Sequence, residues 1–589
     1  MRDRLLATAT TVAGMNRRQL VGVVRRKLRS ELRPRLDLPV GDEYEPTDPP
    51  PALATDPLEA NAALLRRSAS ERTRAYADRQ ADLLAGGTVS FLNGRVTAGD
   101  GVPFAVDPCA GERAGFPILW SLKLWSFAPV RWFVLGSEAP DPPVASMLLS
   151  WLETWDESDL TDLDGPGYLR GYWTPYAVSR RIDNLSRLAA LPSMGERDRE
   201  RLATHVARNV RFLRAHVEYD IGGNHLIENG CALVVGGVAL DDDAAIQQGV
   251  TVLREELPDQ LLDGGLHFER SPMYHAILLY RVAAALDLLR RSGRSVPSTL
   301  RSCVDRMYGW LARCAPEGAD YLLFNDAVYH EGPSRATCLR TVEAAVEDPG
   351  PAERGPLRSS YYSLRAGEVM ALVDGGRPCP AQLPAHAHND AASVVAWVGG
   401  EPLFVDTGVY DYDAGPRRRY ARSVAAHNTV QVGDLDQAVT AGQYMMGPRV
   451  DPTASADDDE TGERVFVSYD APAPWPKYGH ERVVSLNEDG LRIDDWVASN
   501  LTTATSRLHL DPELSMAEWD RTDDAAAVVL SKPGLYRVRV SVRGADTVDV
   551  ARTPYFPEYG AAREQPTLRA VFDPSDGASL SHVVTVGDD

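Results

Sequence analysis

Apolar residues recur every three or four positions in Val144–Trp155, Tyr176–Ala190, Gly195–Val217, His225–Leu240, Ala244–Leu262, Pro272–Arg291 and Pro297–Ala315. Short breaks rich in Gly, Pro or Asp separate these segments. That period belongs to helices with one buried face, so the spacing predicts a train of helices of similar length, as in a helical array or toroid. Leu58–Leu84 is helical in pattern too, and Thr88–Ala105 reads as a small strand-turn excursion. Upstream, Asn16–Leu32 predicts a basic amphipathic helix lying free in solvent, and Pro34–Ala54, rich in Pro and acidic residues, a linker.

Around Asp348–Pro356 the pattern changes. Downstream segments are short, alternating and bounded by turns: Tyr361–Leu364, Val394–Val398, Arg464–Tyr469, Arg482–Leu486, Leu491–Asp495, Val528–Leu530, Tyr536–Val542 and Leu568–Phe572. Strands at this spacing suggest a β-sandwich. The expected division is a basic N-terminal helix and linker over 1–54, a helical domain over 55–350 and a β-sandwich domain over 351–589, an α+β multidomain chain.

At 589 residues the chain is long enough for two or more domains with large cores. Its net charge of -21 argues against nucleic acid as a partner, and local cations must meet any acidic polymer. Those cations are nearly all Arg, since lysine occurs only at Lys27, Lys123, Lys477 and Lys532. The six cysteines lack C-x-x-C spacing and read as reduced, buried thiols. No apolar run approaches the roughly 18–20 residues of a transmembrane helix. The first residues make a poor signal peptide, so the default compartment is cytoplasmic, with export or membrane-surface association also compatible. The composition is compatible with a homodimer.

Four stretches carry candidate chemistry. Gly222-Gly223-Asn224-His225-Leu226-Ile227-Glu228-Asn229 predicts a helix start with Asn224 as its N-cap and His225, Glu228 and Asn229 on one face. Ser271-Pro272-Met273-Tyr274 is a second helix start, with Ser271 as N-cap and Pro272 at the first position. Gly171 to Asn184 offers Trp173, Tyr176 and Arg180 as a saccharide groove, the rings covering a sugar face and the guanidinium fixing a carboxylate. Tyr410 to Arg422 adds Tyr410, Tyr412 and Tyr420 with the cations Arg417, Arg418, Arg419 and Arg422, of which Arg419 and Arg422 are candidates for binding substrate.

Ala385 to Val430 concentrates ligand-type residues: His386 and His388, Asp406 after the apolar run Pro402–Val405, and His427. If His386-Ala387-His388 is extended, both imidazoles lie on one face with diverging rings. Taken singly, each histidine is as well explained as a hydrogen-bonding residue. As a set, imidazoles and a carboxylate on neighbouring strands suit a divalent metal.

Together, Gly223-Asn224-His225 with Asn229, Ser271–His275, His386–Asp390, Asp406-Thr407-Gly408 and Ala426–Val430 resemble the heparinase II/III family of polysaccharide lyases, which includes oligoalginate lyases. The resemblance implies an incomplete (α/α) toroid followed by an antiparallel β-sandwich, and cleavage of a uronic-acid-containing polysaccharide by β-elimination. It implies that Asn224 and His225 neutralise the uronate carboxylate, that Tyr274 is the general acid/base and that His386 is a second base or a stabiliser. Glu228 would be a helper carboxylate, and His388, Asp406 and His427 would hold a structural divalent metal, commonly Zn2+. Three alternatives stay open: a hydrolase using Glu228 or Glu269, a glycan-binding protein of envelope polysaccharide production without turnover, and a metal oxygenase using His386, His388 and Asp406.

Overall fold

A computed structural model of the chain describes residues 2–36, 41–44, 52–138, 140–156, 161–165, 167–346, 355–459, 462–521 and 525–587. The expected domain boundary near 350 and parts of the expected linker lie outside the described residues. The helical half is a two-layered toroid. Thr55–Ser68, Pro175–Ala189, Gly223–Leu240 and Pro272–Arg291 pack on one another as its inner helices. Glu196–Ala215, Asp243–Glu256, Ser298–Arg313 and Arg335–Ala345 pack outside them. Inner helices are covered on almost every side, which explains why Gly223–Leu240 is apolar around its circumference. Close approach to the outer layer relies on glycine: a Cβ on Gly249 would stand 2.6 Å from the Gly230 carbonyl oxygen.

Buried charge ties the inner layer together. Asp183 pairs with Arg187 and Arg281, and Glu228 pairs with Arg281 and Arg180. In three of the inner helices few positions escape burial, Thr55–Ser68 being the more open one. In Pro175–Ala189 they are Tyr176 and Arg180; in Gly223–Leu240, His225 and the terminal Leu240; in Pro272–Arg291, Tyr274, Ile277 and the last two arginines. Apart from the helix ends, these positions mark the concave groove of the toroid.

The C-terminal half is built of antiparallel sheets, and every strand pairing among its described strands is antiparallel. Five strands from Arg358–Ser359 to Glu401–Phe404 pair in chain order. A four-stranded sheet orders Thr547–Tyr555, Arg563–Phe572, Ala504–His509 and Val430–Val432. An eight-stranded sheet contains the long hairpin Tyr478–Asn487 with Gly490–Ser499, in which Val484 faces Ile493. Alternate side chains of these strands enter one shared apolar core, as the period of two predicts. The two halves are locked by Arg270, whose φ is 60°: its guanidinium meets Asp374 and donates to the Arg377 carbonyl, while Tyr361 Oη donates to the Arg270 carbonyl at 3.1 Å.

The N-terminal helix is not free in solvent. Asn16 caps Arg17–Lys27 in a reciprocal capping box with Gln19. Arg18 pairs with Glu255 and Glu256, and Arg26 with Asp220. The preceding helix, Arg2–Gly14, packs on the hairpin of Ala438–Ala441 and Met445–Arg449. The segment therefore spans from the sheets to the toroid, and its charged surface is consumed in ion pairs that hydrophobic periodicity does not register.

Candidate active site

The site forms where the groove of the toroid meets the loop Pro384–Asp390. Gly222 and not Asn224 is the helix N-cap, at φ 76°, and Gly223 follows at φ 55°. A Cβ on Gly223 would strike Glu269 Oε1 at 2.1 Å and Leu383 at 2.2 Å, so glycine is required here. Asn224 is thereby freed from capping. Its backbone N–H and its amide Nδ2 both donate to Glu269, at 2.8 Å each, and Nδ2 also lies 3.4 Å from His386 Nε2.

His225 keeps part of its ring in the groove, 4.6 Å from the Tyr176 ring. Its Nδ1–H donates to Glu218 Oε1 at 3.2 Å. Burial disfavours the imidazolium, but the buried Glu218 carboxylate outweighs it and raises the His225 pKa. Asn229 fixes Glu218 by donating to Oε2 at 3.1 Å and by accepting the Glu218 backbone N–H at 2.8 Å. The raised pKa keeps His225 cationic up to a higher pH than an ordinary histidine, so its contribution to folding is present below about 6.5 and fades as pH rises through the raised value. Glu218→Gln removes the cause of the shift. The alkaline limb of kcat/KM should then move to lower pH; an unmoved limb in a pH-rate series would show that His225 does not set it.

Tyr274 stands in the first turn of Pro272–Arg291, whose cap Ser271 accepts from the Tyr274 N–H at 3.3 Å. Its ring lies 4.2 Å from the His386 ring. Burial raises the phenol well above its usual pKa. Two further tyrosines complete a chain of phenols: Tyr412, which the sequence offers within Tyr410–Arg422, and Tyr559, which no motif marks. Tyr559 Oη donates to Tyr412 Oη, leaving the Tyr412 proton for Tyr274 Oη at 2.9 Å and the Tyr274 proton for the groove.

His386 and His388 lie in a loop and not in a strand, and their rings converge instead of diverging. Both close on Asp326, which the sequence reading also missed: His386 Nδ1 donates to Oδ2 at 2.9 Å and His388 Nε2 to Oδ1 at 2.8 Å. Arg418 clamps both oxygens of the same carboxylate. Burial alone would raise the Asp326 pKa, but Arg418 and the two histidines pull it well below the usual range. With Nδ1 protonated, His386 presents the lone pair of Nε2.

The remaining candidates divide. Tyr176 and Arg180 reach the groove, and burial pushes the Tyr176 phenol up to about 12. Trp173 does not: it is 2% exposed, donates Nε1–H to the Thr161 carbonyl at 2.8 Å and packs on Phe212. Glu228 is wholly buried between Arg180 and Arg281, so it anchors the groove wall and touches no substrate. Arg422 is buried too and braces the histidine loop by donating to the Ala387 carbonyl at 3.0 Å, whereas Arg419 is exposed. Arg418, between them, holds Asp326.

Behind His388 lies His427, its ring 5.3 Å away. His427 Nδ1 donates to Asp406 Oδ2 at 2.7 Å. His388 Nδ1 and His427 Nε2 are buried without a hydrogen-bond partner, as are both oxygens of Asp390. Orphaned imidazole nitrogens of this kind suit a bound cation, so the donor types fit a metal. Asp406, however, is engaged by His427, and the described residues contain no preformed group of three ligands. The oxygenase set fails on geometry, because His386 and His388 face Asp326 and not Asp406.

Residues 147–345 match the model of the heparinase II/III N-terminus, and residues 350–583 match that of the heparinase II/III-like C-terminal region. The chain belongs to the heparinase II/III family. Its toroid-then-sheet order is shared with the crystal structure of heparinase III, at a TM-score of 0.62 and 17% identity over 79% of this chain and 76% of that one. Chondroitin AC lyase from Streptomyces coelicolor A3 aligns at a TM-score of 0.52 and 12% identity, over 91% of this chain and 83% of that one. In sequence, the chain is 24% identical to FtsZ-localized protein C of Caulobacter vibrioides over 362 residues, 58% of this chain and 59% of that protein. It is 25% identical to heparin-sulfate lyase of Bacteroides thetaiotaomicron over 349 residues, 50% of this chain and 49% of that protein. The chain thus spans about half to three-fifths of these curated relatives. Among its described residues, no helix is long and apolar enough to cross a membrane.

Proposed function

We propose that this protein is a polysaccharide lyase that cleaves a uronic-acid-containing polymer by β-elimination. The observation that carries the reading is the meeting of Asn224, His225 and Tyr274 from the toroid with His386 from the sheet domain in one groove. A uronate carboxylate placed between Asn224 and cationic His225 meets the Asn224 amide hydrogen not given to Glu269 and the Nε2–H of His225, donors that stabilise the enolate formed when the α-proton leaves, each contributing roughly 3–4 kcal/mol. Nε2 of His386 carries the free lone pair and takes that proton. Tyr274, protonated at neutral pH and supported by Tyr412, gives its proton to the departing glycosidic oxygen. The names of heparin-sulfate lyase and of the solved heparinase and chondroitin lyase support an acidic polysaccharide as substrate. Incubation with alginate, hyaluronan, heparan sulfate and chondroitin should yield unsaturated, ultraviolet-absorbing ends on at least one of them. Saturated, hydrolytic ends would overturn the mechanism.

A second reading is glycan binding by the same groove without turnover. It predicts retention on a uronan column with no product of either kind.

The orphaned nitrogens of His388 and His427 support a divalent cation, held by these two side chains with Asp406. Such an ion would tie the histidine loop to the strands behind it and supply no step of the elimination. Zinc added to chelator-treated protein should raise Tm by several degrees, and His427→Ala should remove the response. Equal responses in the two proteins would refute the site.

A further inference from the structure

From Tyr176 and Ile277, next to His225 and Tyr274, the groove continues into a narrow cleft that the catalytic reading leaves unused. Lys123, Arg131, Arg180 and Glu331 line it. A second narrow cleft adjoins it and shares Lys123, Ala128, Arg131, Glu331 and Pro333. Two of the cations are matched: Lys123 Nζ sits 2.6 Å from Glu331, and Arg180 reaches Glu228 at 3.1 Å. Arg131 is not. Among the described residues no carboxylate lies within ion-pair distance of its guanidinium, and it is the one residue of the helix Val130–Leu135 left unburied.

We infer that Arg131, flanked by Lys123 and Arg180, forms an anion subsite that takes the carboxylate or sulfate of a sugar next along the polymer from the cleaved bond. A half-buried guanidinium without a counter-ion is costly to keep, and a chain of net charge -21 contains many carboxylates that could have neutralised it. Burial, with Arg180 next to it, lowers the Arg131 pKa, and burial lowers that of Lys123 despite Glu331; bound anionic charge relieves both. The cleft also contains one of only four lysines in the chain, Lys123. The Arg fork suits either oxyanion by paired hydrogen bonds. The substrate would therefore carry acid on neighbouring sugars.

This assignment rests on the proposed lyase reading for its substrate but not for its anion site, and two measurements separate them. In the first, Tm of the full-length protein is followed against sodium glucuronate and sodium sulfate for the parent, Arg131→Gln and Arg131→Lys. The general stabilisation by sulfate is common to all three. The site predicts an additional saturable rise in the parent and Arg131→Lys, shifted roughly tenfold or more in concentration in Arg131→Gln. Glucuronate alone acting assigns the site to carboxylates, and sulfate alone to sulfated sugars. Removing an unpaired cation should leave Tm without ligand equal or higher, so Arg131→Gln stays folded. Identical responses in the parent and Arg131→Gln would overturn the subsite.

In the second, oligomannuronate, with a carboxylate on every sugar, is compared with hyaluronan, where alternate sugars are neutral. Arg131→Gln should raise KM roughly tenfold on the former, with kcat and hyaluronan cleavage little changed. Were the parent to release only saturated, hydrolytic ends while the glucuronate shift still depended on Arg131, the lyase reading would fall and the anion site would stand. Cleavage with KM and anion response both indifferent to Arg131 would do the reverse.

Discussion

Tyr274→Phe is expected to lower kcat for uronan cleavage by about 10²–10⁴ with little change in KM, because in the proposed mechanism the hydroxyl gives its proton to the departing oxygen. The phenyl ring keeps its place against His386, at 4.2 Å between centroids. The fold loses only the hydrogen bond between Tyr412 and Tyr274, worth about 1 kcal/mol. A large loss of activity at nearly unchanged Tm therefore separates chemistry from stability. The competing hydrolase assignments make the opposite prediction, since Glu228 or Glu269 would act without Tyr274. Their environments argue against them: Glu228 is closed off by Arg180 and Arg281, and Glu269 accepts the backbone N–H and one amide hydrogen of Asn224. For Glu269, burial works against ionisation, yet its neighbours hold its pKa below the ordinary value, the reverse of what a general acid needs. Activity retained by Tyr274→Phe would remove the elimination mechanism proposed above.

The parts of this site that were legible in the sequence are those encoded locally. Ser271 followed by Pro272 marks a helix start wherever it occurs, and the predicted Pro272–Arg291 matches the observed helix. Val394–Val398 was equally plain, as an apolar run between turns. Trp173 failed because aromatic residues at a helix entry look alike whether they face a groove or a core; the turn carrying it points inward, onto Phe212. Asn224 was placed as a cap because the residue type fits, but paired positive φ angles moved the cap to Gly222. The predicted divergence of His386 and His388 assumed a strand, whereas the segment is a loop whose geometry a distant carboxylate sets. That carboxylate belongs to no motif and no periodic segment. Its only local sign is a polar pair, Asn325-Asp326, set inside the apolar run from Tyr321 to Val328, and both residues are buried.

Asp326 is accordingly the residue whose loss should be felt most widely. Asp326→Ala is expected to destabilise the protein by roughly 3–5 kcal/mol, since it leaves the Arg418 guanidinium buried opposite no charge. It should also lower kcat by about 10²–10⁴ even where the protein remains folded, because the His386 tautomer and ring orientation are no longer held. Asp326 touches no substrate in this scheme; it is a positioning residue, and the pH dependence distinguishes that role from a merely structural one. Its pKa is depressed in the folded state, so the stability it contributes is present above the unfolded value near 3.9 and is lost as pH falls through the folded value. In the wild-type protein this contribution should begin to fall near pH 4 and be exhausted only well below it, and Asp326→Asn should lose the corresponding acid limb in a plot of Tm against pH. Asp326→Asn also preserves shape while replacing an acceptor by an amide that faces either His386 or Arg418 with a donor. Its kcat should fall more steeply than its Tm. A variant that loses Tm but keeps kcat at low temperature would show that His386 needs no partner, and with it the assignment of His386 as the base would fail.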